Sequence, residues 1–344
     1  EISVRDWSSD VCSSDLRFTD EIRGQLEHEA NRNDAVILKS SDQPLRLPTY
    51  HFAHAVDDHL MRTTVVIRGE EWISSVPLHL QLFDALDFPL PRYAHIAPLM
   101  KQIPGGKRKL SKRKDPEASV DFYIAAGYPA EAVLYYLRGL ANGRLAELPL
   151  SEALVAPIRL EECGVAGPLV DLVKLEDISA DYIATLTGEQ ILDALRPWAT
   201  THDPDIRAVL DTNRDLALRA LAVERVGVDN PRKDLRKWAD FRPAHGFFFP
   251  ELFTPVTDPG DERIAGLGVD PQVVRAFLAD FADGYQPLAD QGEWFDQIRQ
   301  LAAKHGFAPS PKDYKKNPDA YPGSIREAAQ LVRIAQRSDR KSVV

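Results

Sequence analysis

The run Lys107-Arg108-Lys109-Leu110-Ser111-Lys112-Arg113-Lys114 puts six cations in eight residues, directly behind Gly105 and Gly106, in a chain of formal net charge −10. A mobile strip with that density of positive charge suits an anion. The Lys-x-Ser-Lys core suits a phosphate, because ammonium and hydroxyl groups both donate to its oxygens. A solvated basic loop or a localisation tract would carry the same composition, so the surrounding elements must decide.

Those elements read as an α/β arrangement. Residues 35–38 (Ala-Val-Ile-Leu) predict a short buried strand, and residues 48–52 a second extended piece. Residues 63–67 (Thr-Thr-Val-Val-Ile) are β-branched and predict a strand. Arg68-Gly69-Glu70-Glu71 then turns into a helix whose apolar face is Ile73, Val76, Leu80, Phe83 and Leu86. Glu70 and Glu71 suit the positive end of its dipole, and Pro89 and Pro91 close it. Residues 93–100 predict the next strand, followed by the basic loop. Strand, helix, strand and loop in that order imply a parallel sheet, whose ligands gather beyond the carboxyl ends of the strands. Arg68 and the basic strip both fall at such ends. After Pro116 amphipathic helical patterns take over, at 129–140, 188–198, 206–226 and 325–335. Proline- and glycine-rich breaks at 227–231, 255–260, 266–271 and 308–323 divide them into two bundles.

The bulk numbers bound the class. With 344 residues, 44% hydrophobic and 27% charged, the chain has the size for two or three globular domains. No apolar run reaches the ~18 residues needed to cross a bilayer. Cys12 and Cys163 form neither a metal motif nor a disulfide framework. The acidic balance argues against a general nucleic-acid coat while allowing a local basic face.

Four blocks, PTYHFAHAVDDHLM (48–61), VIRGEEW (66–72), YAHIAPLM (93–100) and KRKLSKRKDPEASV (107–120), resemble glutamyl-tRNA synthetase, a class I aminoacyl-tRNA synthetase. The resemblance is dense over 17–140 and continues more weakly at 170–183 and 321–335. It implies the C-terminal half of a class I Rossmann-type catalytic domain over 17–115, a stem-contact region over 116–186, and a helical anticodon-binding region over 187–338. The implied activity is a glutamate--tRNA ligase: ATP activates glutamate to glutamyl-adenylate, and the glutamyl group passes to tRNA. The implied partners are tRNA(Glu), ATP carrying Mg2+ and L-glutamate, in a cytoplasmic monomer that takes no membrane and binds no metal of its own. The alternatives are a non-discriminating or glutaminyl-tRNA synthetase and, in another class, a non-catalytic tRNA-binding paralogue.

The resemblance also implies roles. KLSKR (109–113) matches the mobile lysine signature of the class, so Lys109 and Lys112 contact ATP phosphates, Ser111 holds the loop, and Arg113 helps. Arg68 sits where the family grips the substrate's γ-carboxylate, and a guanidinium fork suits that group. Tyr50 matches a pocket tyrosine. His54 stands where many relatives carry asparagine and is, with Arg68 and Tyr50, a candidate for binding the glutamate; Trp72 matches the residue beside adenine. Asp57-Asp58 reads as structural, bonding nearby backbone amides. His51, His59, His79 and His95 form no triad or zinc spacing and read as packing or surface residues. Arg232, Lys233, Arg236 and Lys237, with Trp238 and Phe241 beside them, suit single-stranded RNA.

The ends read differently. Residues 1–16, with Ser-Ser-Asp occurring twice, and 339–344, encodable as GAT-CGG-AAG-AGC-GTC-GTG, resemble translated sequencing adapters rather than native protein. No His-Ile-Gly-His-like signature, which the class also needs, lies between Arg17 and Ser338. The expectation is a fragment that is nearly inactive alone.

Overall fold

The computed structural model describes residues 16–39, 47–258, 260–288 and 290–337. The tails read as foreign lie outside the described residues, apart from Leu16. Along the chain, β1 (Leu16–Asp20), β2 (Gly24–His28), α1 (Tyr50–Leu60), β3 (Val65–Gly69), a 3₁₀ segment (Glu70–Ser75), α2 (Val76–Ala85) and β4 (Arg92–Ile96) come first. The hairpin β5 (Met100–Ile103) and β6 (Gly106–Lys109) follows, then α3 (Val120–Ala126), α4 (Ala130–Ala141), α5 (Leu150–Val155) and α6 (Leu172–Ala184). Two compact units result: residues 1–123 with 128–179, and residues 124–127 with 180–344.

In the first unit the strand order is β2-β1-β4-β3, with β3 and β1 both parallel to the central β4 and β2 antiparallel at the edge. β3–α2–β4 is the expected strand–helix–strand unit. Its register pairs Val65 with Arg92 and Arg68 with His95, so both chemistry-bearing residues sit at carboxyl ends. Tyr93 and Ala94 are buried on β4, and Phe83 and Val76 cover the sheet from α2. This is the class expected, an α/β sheet followed by helices.

Three local expectations change. Residues 35–38 form no buried strand: Val36 is exposed, and among the described residues one bridge, Leu38 to Pro48, is the pairing there. Without a neighbouring strand to complete a ladder, β-branched propensity alone does not make a strand. Residues 48–52 are not extended throughout, because α1 starts at Tyr50 behind the extended Thr49, whose hydroxyl donates to the carbonyl of Val36 at 2.8 Å. The helix expected from Glu70 is a 3₁₀ segment until Val76, and Pro77 occupies the first turn of α2, where a missing N–H costs nothing. The buried stripe of α2 is then Val76, His79 and Phe83, with His79 taking the place expected of Leu80.

The second unit holds α7 (Gly188–His202), α8 (Pro204–Thr212), α9 (Arg214–Ala222), α10 (Phe241–His245), α11 (Glu262–Ala265), α12 (Pro271–Gly284), α13 (Gln291–Lys304), α14 (Pro311–Lys316) and α15 (Ile325–Arg337). A capping box between Thr187 and Gln190 starts α7, and Asp203 caps α8 ahead of Pro204. The single helix expected over 206–226 is two, broken at the non-helical Asn213. Two cores form as expected of two bundles, one around Leu195, Leu210 and Phe241, the other around Phe277, Ile298 and Leu331.

Candidate functional site

The site is built from the carboxyl ends of three adjacent parallel strands. β1 ends in Asp20, β4 brings His95 and β3 brings Arg68, so the strand order lines up carboxylate, imidazole and guanidinium across the sheet. Asp20 Oδ2 lies 2.6 Å from His95 Nδ1, and Arg68 Nε donates to His95 Nε2 at 3.0 Å. Two helix starts complete the ring. Tyr50 from α1 accepts from Arg68 Nη1 at 3.3 Å, and His79 from α2 lies 3.2 Å from Arg68 Nη2. The Trp72 carbonyl accepts from Nη2 at 3.5 Å, and the guanidinium stands 5.0 Å over the Tyr93 ring. None of these partners is an anion.

Burial sets the protonation. His79 is fully buried, and burial followed by the Arg68 charge pushes it down to about 2. Burial also lowers His95 below the ordinary imidazole range, with Arg68 acting the same way and the Asp20 hydrogen bond opposing. Burial pushes the Asp20 carboxyl up, but hydrogen bonds from His95 and from the amides of Ile22, Arg23 and His95 outweigh it and hold it below the usual range. Burial raises the Tyr93 phenol strongly. The site is thus one cation in a shell of neutral rings.

His79 and His95 were expected to be packing or surface residues. Their contacts to Arg68 correct that. The signal was available for His95, because aligning VIRG with YAHI as parallel neighbours places it beside Arg68. His54 also differs from its expected ligand contact. It is buried, its Nδ1 is bonded to Asp58, and its Nε2 lies 3.0 Å from the Tyr93 hydroxyl. With both nitrogens taken it stacks beneath Tyr50, centroids 5.8 Å apart, and supports that ring. Asp58 therefore bonds a side chain rather than the expected amides. Trp72 also packs against Tyr50, ring centroids 4.2 Å apart. His51 reaches His79 Nε2 at 3.0 Å, and His59 stacks on Phe88.

The basic strip is not a free loop over its whole length. Residues 106–109 are the second strand of the hairpin, and Gly105 takes the left-handed turn position at φ 86°. Asp115, buried and missed at the sequence level, anchors its far end. It binds Arg108 through both oxygens, at 2.6 and 2.8 Å, and accepts the Ser111 amide at 2.9 Å and Lys101 at 3.0 Å. The Arg108 bond leads in holding its carboxyl far below the usual range. Lys109 meets Glu71 at 2.8 Å, both about half exposed, and Glu71 is the residue before Trp72. Gly69 leaves room for that carboxylate, since a Cβ there would lie 2.2 Å from Glu71 Oε2. The strip and Arg68 are therefore joined through one 3₁₀ segment. Lys107, Lys112, Arg113 and Lys114 are exposed.

The expected RNA cluster is less available. Arg232 pairs with Glu224 and Asp234, and Lys233 with Asp181. Trp238 and Phe241 belong to the first helical core and cannot stack on bases, which corrects that expectation. Arg232 does line an 800 Å³ cleft of the helical unit, with Trp294, Phe295, Arg326 and Arg333. No group of three His, Cys, Asp or Glu among the described residues could hold a metal. No helix among them is long and apolar enough to cross a membrane.

The buried histidines carry a pH prediction. His79 in the first unit and His245 in the second, lowered by burial to about 4, stay neutral in the fold while the unfolded chain protonates them near 6.5. The unfolded state then binds more protons, so stability falls as pH drops from 7 toward 4. The expected slope approaches about 1.4 kcal/mol per pH unit for each histidine. Urea titrations at pH 7, 6 and 5 measure it; an unchanged midpoint contradicts the buried neutral rings.

Comparison with known proteins agrees with this architecture. A family model described as tRNA synthetases class I (E and Q), catalytic domain, matches residues 4–153. The chain is 38% identical over 326 residues to the glutamate--tRNA ligase of Clostridium beijerinckii, covering 93% of this chain and 58% of that protein. It is 40% identical over 324 residues to that of Acetivibrio thermocellus, covering 93% and 57%. The fold matches a crystal structure of a glutamate tRNA ligase from Elizabethkingia meningosepticum in complex with its amino acid, with TM-score 0.60 and 20% identity over 95% of this chain and 61% of that one. The chain thus spans less than two thirds of the length of these relatives. The strand-end arginine and the lysine strip both lie inside the stretch, residues 4–153, that matches the catalytic domain of the class I tRNA synthetases for glutamate and glutamine.

Proposed function

We propose that this chain carries the carboxylate-recognising and phosphate-closing half of the active site of a glutamate--tRNA ligase. One observation carries the reading: Arg68, a cation ringed by neutral acceptors, lies one 3₁₀ segment from the lysine strip. The guanidinium takes the side-chain carboxylate of glutamate, with Tyr50 beside it and Trp72 toward the adenine. The substrate's α-carboxylate then attacks the α-phosphorus of MgATP. A phosphorus–oxygen bond forms, the bond to the β-phosphate breaks, and pyrophosphate leaves with its magnesium, which is held mainly by phosphate and water oxygens. Lys109 and Lys112 stabilise the charge that builds on the phosphate oxygens, Ser111 keeps the turn in register, and Arg113 assists. Lys109 is free to do so because its exposed pair with Glu71 is worth at most about 1 kcal/mol.

In a second step the terminal ribose hydroxyl of tRNA(Glu) attacks the mixed anhydride and AMP leaves. The segment 116–186 contacts the tRNA stem and the helical region 187–338 its anticodon arm. The cleft with Arg232, Arg326 and Arg333 beside Trp294 and Phe295 supports that assignment, since cations and aromatics suit single-stranded RNA. A cytoplasmic monomer fits these substrates. Glutamate rather than glutamine is favoured because an unpaired guanidinium gains more from a carboxylate than from an amide.

The test is charging of glutamate and glutamine tRNAs by the full-length protein. The expected result is glutamate transfer that depends on ATP. Absence of any charging with either amino acid, in a folded preparation that binds tRNA, would instead indicate a non-catalytic tRNA-binding protein.

A further inference from the structure

Arginine has five N–H donors, no lone pair, and keeps its proton at any ordinary pH. Every atom receiving its hydrogen bonds must therefore be a bare acceptor. That fixes the protons around Arg68. His95 Nε2 is bare, so the proton of the neutral ring sits on Nδ1 and points at Asp20. His79 Nδ1 is bare, so its proton sits on Nε2 and points at His51 Nδ1. These are assignments from the hydrogen-bond network. Asp20 cannot turn away, because it also accepts the amides of Ile22, Arg23 and His95 at 3.0, 3.0 and 3.1 Å.

We propose that Asp20–His95 and His51–His79 are two positioning relays. They fix the Arg68 guanidinium from two sides through neutral lone pairs and leave its charge uncompensated for the anionic group of the substrate. A carboxylate placed directly on Arg68 would orient it equally well. It would also form an ion pair that the substrate must displace. Setting a neutral imidazole between Asp20 and Arg68 keeps the orientation and leaves the cation available. The opposite tautomer at His95 would put an N–H against the arginine N–H, which would turn or expel the guanidinium. This inference rests on the reading of Arg68 as the carboxylate receptor.

Two measurements test it. The first needs no variant. In the chain labelled with ¹⁵N-histidine, long-range ¹H–¹⁵N spectra between pH 5.5 and 8 report each ring's protonation. The expected result is a neutral Nδ1–H tautomer at His95 and a neutral Nε2–H tautomer at His79, neither titrating. An imidazolium or the reversed tautomer at either ring overturns the proposal. The second uses glutamate-dependent ATP–pyrophosphate exchange by the full-length protein. His95→Phe, which deletes the acceptor, is expected to raise the KM for glutamate about 10- to 100-fold, the usual cost of a lost bond to a charged group. The KM for ATP should stay within threefold. His95→Gln, whose Oε1 can take the Arg68 N–H, should recover most of the loss. Equal glutamate KM values for His95→Phe and the parent, when Arg68→Ala raises that KM, overturn the relay alone. An unchanged KM in Arg68→Ala overturns the carboxylate-receptor reading and the relay with it.

Discussion

Replacing Lys109 or Lys112 with alanine in the full-length protein is expected to slow glutamate-dependent ATP–pyrophosphate exchange about 100- to 1,000-fold, almost entirely through kcat. The magnitude follows from losing one charge-stabilising donor at the reacting phosphate, about 3–4 kcal/mol of transition-state energy. The fold should hardly respond. Lys112 is exposed, and Lys109 gives up only its half-exposed pair with Glu71. The anchors of the strip are elsewhere, in the buried Asp115 with Arg108, Lys101 and the Ser111 amide. Melting temperature and exchange rate should therefore separate: a large kinetic loss at unchanged Tm. Glu71→Gln supplies the reciprocal check. It removes the competing carboxylate, so the KM for ATP should fall or hold. A kcat within threefold of the parent in both lysine variants would remove the strip from the chemistry.

The division of labour within the strip explains what the sequence made legible. Residue type and density pointed to an anion, and the strand–helix–strand order placed the strip and Arg68 at the same edge. Both are local readings, and the local physics of β-branched runs and amphipathic spacing is written over short windows. Asp115 was not legible because its value comes from three partners, Arg108, Lys101 and the Ser111 amide, that meet only when the hairpin closes. The histidines were missed for a related reason. A buried polar residue interrupts the apolar spacing used to find a buried face, so His79 made α2 look rotated by one position. Buried polar groups at an otherwise regular helix face mark a site where packing has been exchanged for a hydrogen bond. Residues 35–38 and 48–52 failed in the opposite direction. Their types read as extended, but strands need partners, and in the four-stranded sheet β3 pairs with β4 alone. Trp238 and Phe241 show the same limit in the helical unit. Proximity in sequence to a cationic run did not bring them to the surface, because the first core uses both.

Arg68→Ala should lower kcat/KM for glutamate about 100- to 1,000-fold, carried by KM, with the KM for ATP little changed. Losing the cation that meets a carboxylate in a pocket of this kind costs about 3–4 kcal/mol. Arg68→Lys should rescue little. Arg68 reaches His95, His79, Tyr50 and the Trp72 carbonyl along separate directions of one plane, and an ammonium cannot span them while also meeting a carboxylate. The alanine variant carries a second signature that a simple loss of affinity would not. It strips the donor from His95 Nε2 and His79 Nδ1, leaving two buried acceptors unmet at a cost of about 1–3 kcal/mol each. It also removes a positive charge that lowers both rings, so their protonation should move upward even though burial, the larger cause, persists. The variant should consequently show the full loss from its missing contacts at pH 7, where the rings are neutral in both proteins, and a smaller loss as pH falls, because its native state now takes up protons sooner. Denaturation midpoints for parent and variant should converge on acidification; parallel curves would mean that Arg68 does not govern the two histidines.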